Sequence, residues 1–309
     1  MARPHIEPFV DADIDFKKMI LSGIPSGMHY KMLSIDPDSG ACTMTVRFEA
    51  GFKMPPGLSL SEVEIMTMRG NLTVGDTTHA PGLYLFIPPG VSMPALSSET
   101  GCECLMMYNT AAPNFTESDE DASGADRASL ITIESFDHMP WQVPNLFPQT
   151  ASGCLIKVLR MDPQTHALSF LYSMVPGFWQ DNISYHDVSE EAYHIYGTSW
   201  MMQFGDLPDG GYFYRPAYIN HGAFASKGGV LAFGRTDGEL HNHFHFNPYT
   251  NVEENHARSV KKLERQKPEL NKWFVAHDHN HVTATDFEDI QTEDGWHTHV
   301  DHPNYHKHD

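Results

Sequence analysis

The chain has 309 residues, 40% of them hydrophobic, which is enough for two domains that each bury a core. Forty acidic against 20 basic residues give a formal net charge of −20, which argues against binding to nucleic acid or to an anionic membrane. No run of about 18 apolar residues predicts a membrane span, and the first residues lack the apolar core of a signal peptide. Four scattered cysteines do not make a disulfide scaffold, so we expect a reduced, cytoplasmic protein.

Short segments rich in β-branched and aromatic residues, bounded by Gly, Pro, Asp or Ser, predict strands along most of the chain. In chain order they are CTMTVRF (42–48), EIMTM (64–68), GLYLFIP (82–88), ALSFLYSM (167–174), AYHIYG (192–197), GYFYRP (211–216) and GVLAFG (229–234). Helical periodicity is weak until ENHARSVKKLERQ at 254–266. Many short strands with regular turns predict an all-β fold of the sandwich or barrel type.

The two halves of the chain repeat the same landmarks at a nearly constant offset. IEPF at 6–9 recurs as IESF at 133–136, and KMLSIDP at 31–37 recurs as KVLRMDP at 157–163. Three further pairs keep this spacing: Gly51 and Gly177, Gly70 and Gly197, Pro88 and Pro216. Offsets that stay between 126 and 128 residues predict a tandem duplication of one domain.

Composition divides the chain into four predicted segments. They are a first domain over 1–115, an acidic linker over 116–129, a second domain over 130–250 and an extension over 251–309. The linker is poor in apolar residues, which is typical of a solvated connection. The extension holds the one predicted helix and then a His-rich arm, since twelve of the 20 histidines lie after residue 240.

The segment HNHFHF at 241–246 places His241, His243 and His245 on one face if it is extended. Alternating histidines bind zinc, nickel or copper, which makes them a candidate secondary metal site. Terminal His-rich tracts also bind metals adventitiously, and the sequence leaves both interpretations open. We expect a packed strand and helix first and a loosely ordered arm after them.

The segment SYHDVSEEAYHIYG at 184–197 carries the residues with metal chemistry. In an extended strand, Glu190, His194 and Tyr196 point to one face. His186 lies four residues before Glu190, where a short turn would bring it back beside the carboxylate. Two imidazoles and a carboxylate are a ligand set for zinc or non-haem iron.

Two motifs in this half resemble those of the cupin superfamily, small jelly-roll barrels that hold a metal. The family's first motif, G-x5-H-x-H-x3,4-E-x6-G, is matched by His186, Glu190 and Gly197, while Ser184 stands at the first histidine. The second motif, G-x5-P-x-G-x2-H-x3-N, has a counterpart in the segment 210–225. Matching positions of this second motif are Gly210, Pro216 and His221, whereas Tyr218 replaces its glycine and Ala225 its asparagine.

The resemblance implies two tandem cupin barrels and the metal ligands His186, Glu190 and His221. This set is that of the facial triad of non-haem Fe(II) oxygenases, so one divalent metal per chain is expected, with Fe(II) favoured and Mn, Zn or Ni as alternatives. His194 has three alternative roles: a further ligand, a base or hydrogen-bond donor to substrate, or a core histidine bonded to a neighbour.

In the first half the same resemblance implies a barrel without a metal. Ser59 falls where the second histidine of the first motif belongs, Val63 where the glutamate belongs, and Met93 where the histidine of the second motif belongs. We therefore expect a structural role for this half, such as packing against the second half.

Four residues around the motifs are candidates for contact with a substrate. Arg215 either clamps a substrate carboxylate or pairs with one of the many acids of the chain. Tyr196 is a candidate wall or catalytic residue, and Tyr218 and Ser184 are candidates for substrate binding. Most of the aromatic residues around the motifs are expected to belong to the barrel core.

The resemblance favours an Fe(II) dioxygenase that uses O2 and acts on a small oxygenated substrate. An aromatic substrate is one version of this hypothesis. Two alternatives remain: a non-oxidative metal-dependent isomerase or lyase, and a non-catalytic metal- or ligand-binding cupin with the His-rich arm as its working part. Cupins commonly pair through their barrels, so the resemblance also implies a homodimer. No nucleic acid and no membrane is expected as a partner.

Overall fold

The computed structural model describes residues 3–142, 153–180 and 182–245, together with the short stretches 268–269, 291–292 and 295–296. The predicted helix at 254–266 and the histidines of the predicted arm lie outside the described residues. Within the described part of the chain, no helix has the length and apolarity that a membrane crossing requires.

The described chain is almost entirely β-structure, which confirms the predicted fold class, and each of the seven predicted segments forms a strand. The strands are β1 (Ile6–Val10), β2 (Lys17–Lys18), β3 (Met28–Ile35), β4 (Cys42–Phe48), β5 (Phe52–Met54), β6 (Gly57–Leu58), β7 (Val63–Gly70), β8 (Leu72–Val74), β9 (Thr77–His79), β10 (Tyr84–Ile87), β11 (Leu96–Ser98), β12 (Cys102–Tyr108), β13 (Thr116–Glu117), β14 (Ile131–Ile133), β15 (Cys154–Met161), β16 (Leu168–Met174), β17 (Phe178–Gln180), β18 (Ile183–Tyr185), β19 (Glu190–Gly197), β20 (Ser199–Met201), β21 (Gly205–Leu207), β22 (Gly211–Arg215), β23 (Phe224–Ser226), β24 (Val230–Thr236), β25 (His243–His245), β26 (Gln291–Thr292) and β27 (Gly295–Trp296). Three short 3-10 helices cover Asp11–Asp13, Arg127–Ser129 and Phe136–His138.

Each half of the chain builds one large and one small antiparallel sheet. In the first half, the large sheet has the order β14-β10-β7-β12-β4-β3-β2 and the small one β5-β11-β8-β9. In the second half, the orders are β1-β22-β19-β24-β16-β15 and β17-β23-β20-β21. Strand β7 corresponds to β19, β12 to β24 and β4 to β16 at the offsets of the sequence repeats. This equal strand order favours the predicted duplication.

The leading strand of each half adds to the sheet of the other half. Strand β1, at the start of the chain, pairs with β22 of the second half. Strand β14, which precedes the second half, pairs with β10 of the first half. Strand β1 contains IEPF, and β14 ends at the first residue of IESF. The repeated motif therefore lies at the two edge strands that the halves exchange.

The outer faces of the two large sheets pack against each other in a shared apolar core. Its fully buried members come from both halves: Leu33, Met66, Tyr84, Phe86, Leu105 and Met107 from the first, and Leu159, Leu171, Tyr193, Ile195, Tyr212, Tyr214 and Phe233 from the second. Large apolar side chains removed from water dominate such contacts. This core holds the two halves together and leaves the inner face of each large sheet for its own interior.

A buried ion cluster centred on Glu191 crosses this interface. The carboxylate accepts hydrogen bonds from Tyr212 Oη at 2.6 Å and from Thr43 Oγ1 at 2.7 Å. Arg235 Nε donates at 2.6 Å, and Arg3 lies 3.3 Å away. Burial raises the pKa of Glu191, but the charges of Arg235 and Arg3 outweigh it and lower that pKa to about 2. The cluster therefore joins β19 and β22 of the second half to β4 and the N-terminal segment.

The same carboxylate–tyrosine pair occurs at the corresponding place in the first half. Tyr84 Oη donates to Glu64 at 2.7 Å, and Asn109 Nδ2 donates to the other oxygen of Glu64, also at 2.7 Å. Both side chains are fully buried. The interface thus carries two related polar pairs, one from each half.

The segment 116–129, predicted to be a solvated linker, is anchored to the first half. Its strand β13 pairs with β6. Asp121 accepts a hydrogen bond from the backbone N–H of Ser92 at 2.8 Å and pairs with Arg127. Acidic side chains therefore hold this segment on the protein surface, in a way that its composition alone does not indicate.

Candidate metal centre

Three side chains converge at one end of the second half: His186, Glu190 and His221. Nε2 of His186 lies 3.1 Å from Nε2 of His221. Oε2 of Glu190 lies 3.5 Å from the former and 3.8 Å from the latter. Within the described residues, no other group of three or more His, Cys, Asp or Glu side chains comes so close together.

Local backbone pairing places these side chains. His186 follows the short strand β18, and a backbone bridge joins Ser184 to His221 through N–H to C=O bonds of 2.7 and 2.8 Å. Glu190 begins β19, four residues after His186, where the turn predicted from the sequence folds back. The backbone N–H of Tyr218 donates to the carbonyl of His186 at 2.7 Å and holds the loop before His221. The structure therefore brings together residues that lie 35 positions apart in the chain.

The orientation of both imidazoles is set by backbone carbonyls. Nδ1 of His186 lies 2.9 Å from the carbonyl oxygen of His241, and Nδ1 of His221 lies 2.9 Å from that of Ile219. A carbonyl only accepts, so both Nδ1 atoms carry a hydrogen and both Nε2 atoms are left to face each other and Glu190. Two Nε2 atoms and a carboxylate oxygen directed at one point require a proton or a metal ion between them.

The spacing of the three atoms fits one metal ion. Ligand atoms bound at about 2.1 Å and at right angles to each other lie about 3 Å apart, close to the distances found between these atoms. Nitrogen and oxygen donors of this kind suit Fe(II), Mn, Zn or Ni. The set thus fits a divalent metal on the chemistry and spacing of its donors.

The charge states of the three side chains favour the binding of a cation. Burial raises the pKa of Glu190, but His186, His221 and Arg215 outweigh it and lower that pKa to about 2, so the carboxylate is ionised. Burial, reinforced by Arg215, lowers the pKa of His221 to about 3, so this ring is neutral. Burial also disfavours a charge on His186, yet the Glu190 carboxylate overcomes it and raises its pKa. A proton on His186 is the counter-charge that a metal would replace.

The three side chains lie at the wall of a cavity of about 80 Å³. Its apolar lining is formed by Cys154, Phe170, Tyr172, Met174, Phe178, Met201, Phe213 and Phe224. Its polar lining adds Gln180, Ser184, His194, Ser199, Arg215 and Asn242 to the three candidate ligands. A few polar groups among apolar walls are typical of a small-molecule site.

His194 lines this cavity but does not belong to the ligand group. It lies four residues after Glu190, which is about 13 Å along a strand, so the alternative of a further ligand is wrong. Nδ1 of His194 lies 2.9 Å from the carbonyl oxygen of Leu207, which fixes the hydrogen on Nδ1. Burial lowers the pKa of His194 to about 4. At neutral pH its Nε2 is therefore a hydrogen-bond acceptor and not a donor.

Arg215 is buried in the same cavity, where the charge of Glu190 acts on it but no carboxylate of the described residues forms a direct ion pair with it. Its guanidinium lies 4.1 Å from the ring centroid of Phe213, and Nη2 lies 3.1 Å from Sδ of Met201. Nη1 has no hydrogen-bond partner among the described residues. The ion pair with an acid, one of the two roles predicted from the sequence, is not formed among the described residues. Arg215 lies directly across from Glu190 in the β19–β22 pairing.

Of the remaining substrate candidates, only Ser184 reaches the cavity, where it is almost fully buried. Tyr196 was expected on the inner face with Glu190, and this is wrong. A bulge between His194 and Tyr196 interrupts the alternation of β19, and Tyr196 is 60% exposed. Tyr218 adopts a positive φ of 70° and is 68% exposed, outside the cavity lining, with its ring near Tyr185.

The candidate secondary metal site at His241, His243 and His245 stays a prediction, since only two of its three side chains are described. His241 pairs with Glu239 at 3.4 Å, and His243 pairs with Asp187 at 3.4 Å. His243 also stacks on Tyr185, with ring centroids 4.9 Å apart. The side chain of His245 lies outside the described residues. Each of the two described histidines therefore has its own acidic partner.

Comparison with known families places the chain. A family model described as a domain of unknown function, DUF4437, matches residues 26–243. The chain belongs to the DUF4437 family. No curated protein matches this DUF4437 chain at a significant level.

Solved structures share the fold of this DUF4437 protein. A "putative dioxygenase" from Nostoc punctiforme superposes with a TM-score of 0.72 at 22% identity, covering 78% of this chain and 87% of that chain. An oxalate decarboxylase variant from Bacillus subtilis has a TM-score of 0.52 at 11% identity, covering 84% and 83%. Protein Ylba from E. coli has a TM-score of 0.52 at 14% identity, covering 74% and 89%. At these identities the likeness establishes a cupin-type fold and nothing finer.

The first half of the DUF4437 chain has Ser59, Val63 and Met93 where the second half has candidate ligands. These residues line a small cavity of about 20 Å³ together with Met28 and Met106. No group of three potential metal ligands occurs in the described residues of this half. A metal-free first barrel with a structural role stays a prediction.

Several cavity residues of the DUF4437 protein were not identified from the sequence. Gln180, Ser199 and Asn242 contribute polar atoms, and Asn242 lies between the histidines of HNHFHF. In the sequence, the alternating segment HNHFHF stands out for its histidines and not for Asn242. In the structure this segment pairs with β18, next to the candidate ligands, and Asn242 lines the cavity. Gln180 and Ser199 come from β17 and β20 of the small sheet, which carries no motif.

Proposed function

We propose that this DUF4437 protein is a mononuclear metal-dependent cupin enzyme whose divalent ion is held by His186, Glu190 and His221. One observation carries the proposal: two Nε2 lone pairs and an ionised carboxylate converge beside a cavity, with both imidazoles fixed through Nδ1. A core cluster without a ligand would leave these groups facing each other at a cost in free energy.

We favour an Fe(II) dioxygenase that acts on a small oxygenated substrate with O2, and keep Mn, Zn and Ni as alternative ions. Two histidines and one carboxylate are the ligand set of non-haem Fe(II) oxygenases, and three protein ligands leave coordination positions free for small molecules. When bound, the ion supplies Lewis acidity and, as ferrous iron, the electrons for reaction with O2.

The residues of the chain supply orientation, an apolar environment and a hydrogen-bond acceptor. The carbonyls of His241 and Ile219 hold the imidazoles in one orientation. Phe178, Phe213 and Phe224 give the cavity apolar walls, which strengthens polar interactions inside it. Nε2 of His194, neutral at physiological pH, accepts a hydrogen bond from a substrate hydroxyl.

The domain organisation belongs to the same proposal. The repeated strand order, the exchanged edge strands and the shared core support two tandem cupin barrels, one metal-free and one with a metal. The boundaries at 1–115, 116–129, 130–250 and 251–309 remain predictions. A homodimer and a cytoplasmic location also remain predictions.

A non-oxidative isomerase or lyase is the second candidate, and the polar lining of the cavity allows it. The buried neutral imidazole of His194 would orient a substrate hydroxyl as a hydrogen-bond acceptor, and Lewis-acid chemistry at the ion needs no O2. Under this alternative the same three ligands hold a zinc, manganese or nickel ion.

Metal analysis of the full-length protein, purified without added metal, tests the site. We expect the wild type to carry one more divalent ion per chain than His186→Ala and His221→Ala. The metal content of each variant is subtracted from that of the wild type. Ions bound by the His-rich extension cancel in this difference, because all the proteins keep that extension. The exposed His166→Ala variant serves as the control. Equal metal content in all four proteins would eliminate the site.

Oxygen consumption separates the candidate reactions. Iron-loaded protein is mixed with small catechols, hydroquinones and β-diketones in an oxygen electrode, with the His221→Ala variant in parallel. We expect uptake by the wild type alone. Absence of uptake combined with conversion of substrate under nitrogen would favour the isomerase or lyase. Full metal content without turnover of any substrate would favour a non-catalytic metal-binding cupin.

A further inference from the structure

We propose that Arg215 anchors the anionic group of the substrate, so that the cavity takes a small carboxylate whose other end lies at the metal centre. This inference rests on the proposed function, since it assigns a substrate class to the same cavity. It uses a residue for which the sequence favoured an ion pair with an acid of the protein.

The first argument is the state of the guanidinium. Arg215 is 5% exposed, yet Nη1 has no hydrogen-bond partner among the described residues, and Nη2 contacts only the thioether of Met201. Buried charged groups in proteins are normally paired, because removing a charge from water without a partner is costly. An unpaired buried donor at a cavity wall indicates that its acceptor is a ligand.

The second argument is the rigidity of the side chain. The guanidinium lies over the ring of Phe213 and against Met201, which fixes its plane. A fixed guanidinium fork matches the two oxygens of a carboxylate, and charge-assisted hydrogen bonds of this kind are strong. Lysine, a point charge on a flexible stem, would not provide that geometry.

The third argument is the position next to the candidate ligands. Arg215 of β22 and Glu190 of β19 are direct cross-strand partners, so their side chains leave the same face of the sheet. A molecule bound at Arg215 therefore reaches the point where Glu190, His186 and His221 converge.

The cavity also limits the size of the ligand. One water-sized group occupies about 10–15 Å³ of such a volume, so a cavity of about 80 Å³ admits roughly five to eight non-hydrogen atoms. Short hydroxy and oxo acids fall in this range. His194 Nε2, an acceptor, is suited to a hydroxyl of such an acid.

Binding of lactate and of its neutral isostere lactamide to the full-length protein tests the proposal. Calorimetric titrations are carried out on chelator-treated and on zinc-loaded protein, for the wild type, Arg215→Met and Arg215→Lys. We expect lactate to bind the wild type about tenfold or more tightly than lactamide. Arg215→Met should weaken lactate binding by about tenfold or more, Arg215→Lys by less, and neither should change lactamide binding. Arg69→Met, which removes a charge from the exposed surface, should change nothing.

The outcomes separate this inference from the proposed metal centre. If zinc does not bind but lactate discrimination still depends on Arg215, the metal centre fails and the anion anchor stands. If zinc binds and Arg215→Met binds lactate as the wild type does, the anchor fails and the metal centre stands. No lactate binding to either wild-type form at millimolar concentration also overturns the anchor. The melting temperature adds a second readout: an anchor predicts an unchanged or higher value for Arg215→Met, because an unpaired buried charge is removed. A clear drop with unchanged affinity would show a structural role instead.

Discussion

Nε2 of His186 and Nε2 of His221 lie 3.1 Å apart, although each ring already carries its hydrogen on Nδ1. Two facing lone pairs repel each other unless a proton or a metal ion lies between them. Glu190, ionised beside them, supplies the negative charge that either cation needs. The close approach of the two nitrogens is therefore explained if a cation lies between them. Binding of a metal ion should then stabilise the folded protein, and this can be measured.

Addition of zinc to chelator-treated protein should raise the melting temperature of the wild type. An ion that binds only the folded state at about 100 times its dissociation constant stabilises by about 2.7 kcal/mol. His186→Ala should lose most of this effect, because it removes one of three donors. Differential scanning calorimetry measures the shift, and His166→Ala is the control with an exposed histidine. An equal shift in both variants would place the stabilising ion elsewhere.

Glu190 and Glu191 are neighbours with opposite expected effects, because they point to opposite faces of β19. Glu191→Gln should destabilise the fold by about 3–5 kcal/mol, since it leaves Arg3 and Arg235 without their buried counter-charge. Glu190→Gln should change stability far less, since His186 gives up its proton when the carboxylate charge is lost. Urea unfolding at neutral pH, in the presence of a chelator, measures both.

For metal affinity we expect the opposite order, with the larger loss in Glu190→Gln. Glu190→Gln should lower zinc affinity strongly, because a ligand charge is lost, whereas any folded Glu191→Gln protein should bind zinc as the wild type does. Competition with a coloured chelator measures both affinities. Loss of metal from both variants alike would mean that the ion cluster at the interface also shapes the centre.

The pKa of His194 predicts how stability depends on pH. Burial lowers this pKa from 6.5 in the unfolded chain to about 4 in the fold, so the unfolded state binds more protons between these values. The stability that depends on a neutral His194 is therefore fully present above pH 6.5. The free energy of unfolding falls as pH approaches 4, by about 2 kcal/mol at pH 5. His194→Asn keeps a donor for the carbonyl of Leu207 and removes the titration. Its urea midpoint should fall less between pH 7 and pH 5 than that of the wild type. Equal pH dependence in the two proteins would show that the ring is already solvated.

The strands could be predicted from the sequence because their patterns are local. Cys42–Phe48 matches its predicted segment residue for residue, and Leu168–Met174 differs by one residue. Both carry apolar and aromatic residues between turn residues, so the signal lies within the strand. The candidate ligands His186, Glu190 and His221 were predicted from motif spacing, and the structure brings their side chains together.

Long-range features could not be predicted, because they depend on which segments meet. The exchange of β1 and β14 between the halves leaves no mark in either segment alone. Tyr196 was misplaced because one extra residue in a bulge turns every later side chain to the other face. The unpaired Nη1 of Arg215 also depends on the fold, since a composition with 40 acids does not show which side chains lie within hydrogen-bond distance of it.

The repeat glycine Gly197 should tolerate no side chain, for two separable reasons. Its φ is +80°, and a Cβ there would lie 2.2 Å from the carbonyl oxygen of Gly229. Gly51 has the same φ of +80° but no atom within 4 Å of its Cβ position, and Gly228 lacks both constraints. Alanine should therefore cost about 1–2 kcal/mol at Gly51, clearly more at Gly197, and close to nothing at Gly228. Urea unfolding of the three variants measures the series. Equal losses at Gly51 and Gly197 would mean that the turn shifts away from Gly229 and that the close approach is not what selects glycine.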